Sequence, residues 1–196
     1  MLGVIKFFFE HPLTKNNPYK AVKRFLRWQI FSRLVPYPVV FPFIGQTTLL
    51  VQRGFRSATA NMYVGLMEFE EMAFLLHFLN HDDLFIDIGA NVGVYTVLAS
   101  GNRKARTIAI EPIPATFSCL EQNIALNKIH DKVMAYNIGL GSKRDKLKFT
   151  SNWDTLNNVI TEENLAIEKH FVEVEVHRLD DLIDKTEQPN LIKIDV

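Results

Sequence analysis

The stretch Leu84–Ala99, which reads LFIDIGANVGVYTVLA, constrains the fold more than any other part of the chain. Its first five residues are apolar except for Asp87, two glycines and an asparagine follow within the next five, and apolar residues then resume as far as Ala99. This order predicts a buried strand, a tight glycine turn and the start of a helix. Such a turn brings backbone N–H groups close to a nucleotide-like ligand.

Strand and helix patterns alternate around this stretch. Helices are predicted at Glu68–Asn80, Pro114–Asn127 and Leu179–Lys185, core strands at Thr107–Ile110, Lys132–Tyr136 and Leu191–Val196, and an antiparallel pair of strands at Lys146–Thr150 and Phe171–His177. The alternation predicts a doubly wound, mostly parallel α/β sheet of the Rossmann-like class. Ligands bind such sheets beyond the carboxyl ends of the strands, where the strand order reverses.

The N-terminal part of the chain is strongly basic. Residues 1–33 carry seven lysines and arginines against one acid, Glu10, although the whole chain has 22 basic and 22 acidic residues. Prolines and an Asn-Asn pair predict irregular structure over residues 1–18, and a helix with a basic polar side is predicted at Tyr19–Arg33. That helix either packs on the main domain with its basic face in water or docks on an anionic membrane surface. We expect residues 1–45 to be an extension and residues 46–196 to be the main domain.

Composition excludes several classes of protein. The formal net charge of zero argues against non-specific binding to nucleic acid. The single cysteine, Cys119, rules out an intrachain disulfide and predicts a reducing, cytoplasmic location. Paired metal-binding cysteines are absent, so no metal site is predicted. Prolines within the charge-free run Leu34–Gln52 argue against a membrane-spanning helix there.

The glycine turn selects against a dinucleotide. The dinucleotide fingerprint needs glycines at relative positions one, three and six, which are occupied here by Gly89, Asn91 and Val94. A pyrophosphate also avoids a nearby carboxylate, and Asp87 places one beside the turn. A ligand that carries ammonium and sulfonium groups suits that carboxylate, and S-adenosylmethionine is such a ligand.

Two further strand ends supply polar side chains for an adenosyl group. Glu111 lies 22 residues beyond Gly89, close to the offset at which an acid accepts both ribose hydroxyls. Asn137 follows the third strand and is placed to meet the adenine edge. Structural roles stay open for each acid and amide: Asp87 as a cap of the turn or helix, Glu111 as a solvated strand end, Asn137 as a turn residue.

Three segments carry a family resemblance. LFIDIGANVGVYT, AIEPIPATFSCLEQNIALN and LIKIDV, in this order and spacing, resemble the FkbM-type methyltransferases, which use S-adenosylmethionine. The resemblance runs from about Glu68 to the last residue and leaves residues 1–45 outside. It implies a class I methyltransferase fold. The residues expected to contact the cofactor, from the turn and the strand ends, are Asp87, Gly89, Asn91, Gly93, Glu111 and Asn137. The resemblance also implies methylation of a hydroxyl on a sugar, a glycan or a polyketide-like acceptor.

The catalytic group must assist a poor nucleophile, because an alcohol attacks a methyl group slowly without a base. Asp195, at the end of the fourth strand, is the best candidate for a base or an acceptor-positioning group, with a structural or cofactor-contacting carboxylate as the alternative. His177, Asp180 and Asp181 are weaker candidates. The polar segment Ser151–Val159 is either a substrate-facing lid or an ordinary surface loop.

At the C-terminal end, the sequence covers only part of the family's pattern. Members of the family continue past KIDV, whereas this sequence ends at Val196. We therefore expect a partial domain with four of seven core strands, poorly soluble and inactive when expressed as written. Two other functional classes remain as alternatives. One is a Rossmann-like nucleotide-binding module or NAD-dependent oxidoreductase, and the other is a membrane-associated accessory protein that uses the helix Tyr19–Arg33.

Overall fold

From Phe69 to Tyr136 the helices and strands follow one another as the sequence alternation predicts, whereas the helix predicted at Leu179–Lys185 is only a 3₁₀ turn. A computed structural model describes residues 2–150 and 171–195. Its elements are α1 (Leu2–Glu10), α2 (Pro18–Leu34), β1 (Val39–Pro42), β2 (Thr48–Val51), α3 (Arg56–Val64), α4 (Phe69–Phe78), β3 (Leu84–Ile88), α5 (Val94–Thr96) with a π-helical continuation (Val97–Asn102), β4 (Arg106–Ile110), α6 (Pro114–Asn127), β5 (Val133–Tyr136), β6 (Gly139–Leu140), β7 (Asp145–Thr150), β8 (Phe171–His177), a 3₁₀ turn (Leu179–Asp181) and β9 (Leu191–Ile194).

The main sheet confirms the predicted parallel α/β class. Its described strands lie in the order β5-β4-β3-β9, and all neighbouring pairs are parallel. The chain steps outward from β3 through β4 to β5 and then returns to the opposite side of β3 with β9. The strand order therefore reverses between β3 and β9, and the carboxyl end of β3 lies at the switch point, where such sheets bind ligands.

Apolar side chains cover both faces of this sheet. On one face, Phe85 packs with helical residues such as Leu98 and Leu120 in a large core. On the other face, the isoleucines of β3 and β4 pack against the segment that contains Leu179 and Leu182. Because β3 is buried on both faces, it reads as a continuous apolar run in which a single charged residue stands out.

The N-terminal region packs into the same large core. The side chain of Phe8, from α1, lies against Phe25 of α2 and Tyr63 of α3, with ring centroids 5.9 Å apart in both pairs. The expectation of irregular structure over residues 1–18 is wrong for Leu2–Glu10, which form α1 and bury Phe8. Residues 11–16, which contain Pro12 and the first asparagine of the Asn-Asn pair, form a bend and turns as expected. The helix predicted at Tyr19–Arg33 is confirmed as α2.

Strands β1 and β2 form an antiparallel hairpin. The boundary expected after residue 45 falls within the turn of this hairpin, and the division into 1–45 and 46–196 stays a prediction. Helix α3 begins at Arg56 and is not among the helices predicted from the sequence.

A second, smaller sheet has the order β6-β8-β7. Its β7–β8 pair is antiparallel, which confirms the sequence prediction for these two strands. The segment Ser151–Val159, proposed above as a lid or a surface loop, lies outside the described residues. Among the residues that the structure describes, no helix is both long enough and apolar enough to cross a membrane.

Candidate cofactor and active site

The turn between β3 and α5 depends on backbone conformations that suit glycine. Gly89 has a φ of +70° and Gly93 has a φ of +87°, and Asn91 between them has a φ of +53°. A side chain at Gly89 would also overlap the backbone carbonyl oxygen of Asp195 at the end of β9. Two requirements therefore select glycine at position 89: the left-handed conformation and the close approach of the two chain segments.

Hydrogen bonds hold this turn against β4 and α6. The N–H groups of Gly89 and Ala90 both donate to the carbonyl of Ile110, at 3.0 and 2.9 Å. From α6, the side-chain amide of Asn123 donates to the carbonyl of Val92 at 2.8 Å, and its oxygen accepts the N–H of Leu50 at 2.8 Å. This buried asparagine links the turn to β2, a role that sequence reasoning missed although it quoted the QNIALN segment.

Asp87 is fully buried at the end of β3. Its Oδ2 accepts a hydrogen bond from the Thr96 hydroxyl at 2.7 Å, whereas Oδ1 has no hydrogen-bond partner among the described residues. Burial raises the pKa of Asp87, and the positive charge of Lys193 partly offsets that rise. Because Thr96 is the last residue of α5, this hydrogen bond ties the strand to the helix, although no side chain caps the start of α5.

Lys193 is another residue of this site that sequence reasoning missed. Its ammonium lies 3.7 Å from Oδ1 of Asp87 and 3.3 Å from the carbonyl oxygen of Gly89. It also lies 5.0 Å from the ring centre of Tyr95, on whose face it stacks. Register explains the pairing, since Lys193 of β9 lies directly beside Asp87 of β3 and side chains at paired positions point to the same face.

Glu111 lies at the carboxyl end of β4, next to the turn. Its Oε2 accepts the N–H of Asn91 at 2.9 Å and its Oε1 accepts the N–H of Ile113 at 3.0 Å. Burial raises the pKa of Glu111 to about 6, although the two N–H donors act in the opposite direction. The carboxyl group is thus buried and not the solvated strand end that was the alternative.

Asn137 braces the neighbouring loop. Its side-chain amide donates to the carbonyl oxygens of Glu111 and Pro112, at 2.8 and 3.0 Å, so its donors are engaged with backbone. This geometry fits the turn-residue alternative, and the contact with an adenine edge stays a prediction.

A cavity of about 260 Å³ opens at the switch point. Its lining includes Asn91, Tyr95, Lys193 and the exposed carboxylate of Asp195, whose Oδ2 is 3.4 Å from the Lys193 ammonium. The weaker catalytic candidates lie elsewhere in the described part of the chain: His177 pairs with Glu175, Asp180 with Arg178 and Asp181 with Arg144, and none of them lines this cavity.

Tyr95 and Glu68 form a second contact that the sequence did not indicate. The Tyr95 hydroxyl donates to a carboxylate oxygen of Glu68 at 2.6 Å, and both side chains line the cavity. Burial raises the pKa of Tyr95, and so does its acidic partner Glu68. The pair therefore contributes a hydrogen-bonded polar group to the cavity that Asp195 also lines. Within residues 2–150 and 171–195, no three His, Cys, Asp or Glu side chains lie close enough together to hold a metal ion.

A comparison with known protein families shows which family this chain matches. The profile described as the Methyltransferase FkbM domain matches residues 87–196, more than half of the chain. The chain belongs to the FkbM methyltransferase domain family. The matched region starts at Asp87, within β3, and contains the glycine turn, Glu111 and Lys193, whereas helices α1 to α4 precede it.

Relatives of this FkbM domain protein are distant. Methyltransferase 1 of Beauveria bassiana is 30% identical over 136 residues, which cover 59% of this chain and 54% of that protein. Hexuronic acid methyltransferase AglP of Haloferax volcanii is 29% identical over 127 residues, which cover 62% of this chain and 48% of that protein. The chain therefore spans about half the length of these two curated relatives. A crystal structure of Pyrococcus horikoshii TYW2 in complex with MeSAdo is 22% identical, covers 64% of this chain and 50% of that chain, and has a TM-score of 0.45.

Proposed function

We propose that this chain is the cofactor-binding part of an S-adenosylmethionine-dependent O-methyltransferase. The observation that carries the proposal is the placement of two buried carboxyl groups, Asp87 and Glu111, beside the glycine turn at the switch point of the sheet. Carboxyl groups there repel a pyrophosphate and favour a ligand with positive charge. Membership of the FkbM methyltransferase domain family supports the same cofactor.

The residues present fit this cofactor. Oδ1 of Asp87 is buried without a hydrogen-bond partner in the described part of the chain, and it offsets the positive charge of Lys193, 3.7 Å away, at the place where a cationic ligand would bind. Each carboxylate oxygen of Glu111 accepts one backbone N–H and keeps a second acceptor site, which suits a pair of ribose hydroxyls. Gly89, Asn91 and Gly93 would form the wall on which the nucleoside rests.

When bound, S-adenosylmethionine supplies an electrophilic methyl group on a positively charged sulfur. The main role of the protein is to align the acceptor oxygen with that methyl group and to keep water out of the site. Asp195, exposed at the end of β9 and 3.4 Å from Lys193, is the group we assign to hold the acceptor hydroxyl and take its proton.

A sugar hydroxyl is the acceptor that we propose. The name of the Haloferax volcanii relative, a hexuronic acid methyltransferase, supports a sugar, and the zero net charge of the chain supports a small acceptor over a nucleic acid. The cytoplasmic location stays a prediction from the single cysteine.

Binding measurements with two ligands, one with and one without a positive charge, distinguish the role of Asp87 from that of Glu111. S-adenosylmethionine is positively charged at sulfur, whereas methylthioadenosine carries the same nucleoside without charge. In Asp87→Asn the charge of Lys193 is no longer balanced, so we expect affinity for S-adenosylmethionine to fall about tenfold or more while affinity for methylthioadenosine stays within about twofold. In Glu111→Gln one N–H of the turn faces an amide donor, so affinity for both ligands should fall. Isothermal titration of each variant with both ligands measures the difference.

The matched control for these variants is Asp184→Asn, which changes an exposed aspartate whose carboxylate accepts hydrogen bonds from Thr186. Unchanged affinity for S-adenosylmethionine in both Asp87→Asn and Glu111→Gln would contradict the site assignment. NAD, titrated in parallel, tests the oxidoreductase alternative, and NAD binding tighter than S-adenosylmethionine binding would favour that alternative.

The pH dependence of binding provides a separate test of Glu111. Ribose hydroxyls donate to the ionised carboxylate, and the free protein ionises this group near its pKa of about 6. Below that pH a proton must leave before the nucleoside binds, so affinity for methylthioadenosine should fall about tenfold per pH unit below 6 and level off above it. An affinity that is flat between about pH 5 and about pH 8 would contradict the assignment.

A further inference from the structure

Helix α2 exposes an apolar stripe along its whole length. Tyr19, Leu26, Ile30 and Leu34 are 73%, 52%, 66% and 75% exposed, and their helical spacing places them on one side. The opposite side of the same helix is buried through Ala21 and Trp28. The exposed Phe9 of α1 extends the stripe, since its ring lies 6.1 Å from that of Tyr19. Contiguous exposed apolar residues of this kind mark an interaction surface.

Positive charge accompanies the stripe. Helix α2 contains five basic residues and no acidic residue, and all five basic side chains are exposed: Lys20, Lys23, Arg24, Arg27 and Arg33. Lys23 lies within the stripe, between Tyr19 and Leu26, and Lys20 and Arg27 lie along one edge of it. A long basic side chain beside apolar surface can lay its stem on that surface and direct its charge outward.

An apolar cavity lies next to this surface. It has a volume of about 640 Å³ between α2 and the β1–β2 hairpin, and its lining includes Trp28, Phe31 and Leu34 of α2 together with Val39 and Phe41 of β1. Arg24 and Arg27 also line it. A cavity of this size, apolar inside and with guanidinium groups on its wall, suits an acyl chain below an anionic head group.

We propose that α2 docks this chain on the surface of an anionic lipid bilayer. The apolar stripe enters the boundary between head groups and acyl chains, and the basic residues meet the lipid phosphates. A nucleic acid would use the same charges, but it would have no use for the exposed leucines and isoleucine. The bilayer is therefore the partner that the two features of α2 favour together.

Co-sedimentation with vesicles tests the proposal on the intact chain. We expect binding to vesicles of phosphatidylglycerol and phosphatidylcholine, little binding to phosphatidylcholine alone, and weaker binding as salt is added. The charge reversal Lys23→Glu with Arg27→Glu should lower the vesicle partition coefficient more than about twentyfold, at about fivefold or more for each basic residue. The pair Ile30→Ser with Leu34→Ser should lower it about tenfold.

Matched controls lie on another helix. Phe74 and Phe78 are exposed and stacked on α4, where the neighbouring charges are acidic, so Phe74→Ser should leave vesicle binding unchanged. All the substituted residues are exposed, so unfolding midpoints should match that of the parent chain. Equal binding to neutral and anionic vesicles, or full binding by both double variants, would overturn the proposal. Binding to transfer RNA that exceeds vesicle binding and ignores Ile30→Ser with Leu34→Ser would overturn it as well.

Discussion

Replacing Gly89 by alanine is expected to lower the free energy of unfolding by about 2–6 kcal/mol. Part of this loss comes from a side chain at a φ of +70°, and part comes from the overlap of the new Cβ with the carbonyl oxygen of Asp195. Relief of the overlap requires β9 to move away from β3, which also displaces Lys193. Urea denaturation of the intact chain measures the loss, and S-adenosylmethionine binding should be lost with it.

Gly3 provides the matched control for this prediction. It lies in α1, where a Cβ added to it would meet no atom of the described residues within 4 Å. Gly3→Ala should therefore leave the stability unchanged or raise it by up to about 1 kcal/mol. If Gly89→Ala and Gly3→Ala unfolded at the same urea concentration, that result would contradict the close approach of β3 and β9 at the switch point.

The second large effect is expected from Lys193→Met. This change leaves the fully buried Asp87 without the opposite charge that lies 3.7 Å from its Oδ1. Removing one partner of a buried ion pair costs about 3–5 kcal/mol, because the remaining charge stays desolvated. The double variant Asp87→Asn with Lys193→Met removes both charges and should recover most of that loss. A double-mutant cycle of unfolding free energies isolates the coupling between the two side chains.

Stability should change with pH in the direction that the pKa shift of Asp87 dictates. Burial raises the pKa of Asp87 in the folded state, so its favourable contribution to stability is fully present below the unfolded-state pKa and is lost as pH rises through the folded-state pKa. Without Lys193 that pKa rises further. The stability deficit of Lys193→Met should therefore be small at about pH 4 and larger at about pH 8. An equal deficit at both values would mean that Asp87 does not carry the effect.

Much of the architecture could be predicted from local patterns. Helix α6 runs from Pro114 to Asn127, as predicted, because a proline fits the first turn of a helix and apolar residues then repeat at helical spacing. Strands β3 and β4 were predicted to within one residue, since buried parallel strands appear as uninterrupted apolar runs. By contrast, α1 was missed because Pro12, Pro18 and the Asn-Asn pair were taken to indicate irregular structure over all of residues 1–18.

The residues at strand ends were also visible in the sequence. Asp87, Glu111 and Asp195 could be picked out because each follows or interrupts an apolar run next to a turn. The residues that these acids contact could not be picked out in this way. Lys193 lies 104 residues from Gly89 along the chain, and nothing in the local pattern of β9 shows which strand lies beside it.

The sequence alone therefore determined the parallel sheet, the glycine turn and the acids that flank it, because these depend on the period and chemistry of adjacent residues. Only the tertiary structure decided what those acids face. The pairing of β3 with β9 brings the Lys193 ammonium to Asp87, and the packing of α6 brings Asn123 to the turn. Both are contacts between distant segments, and strand order and register create them.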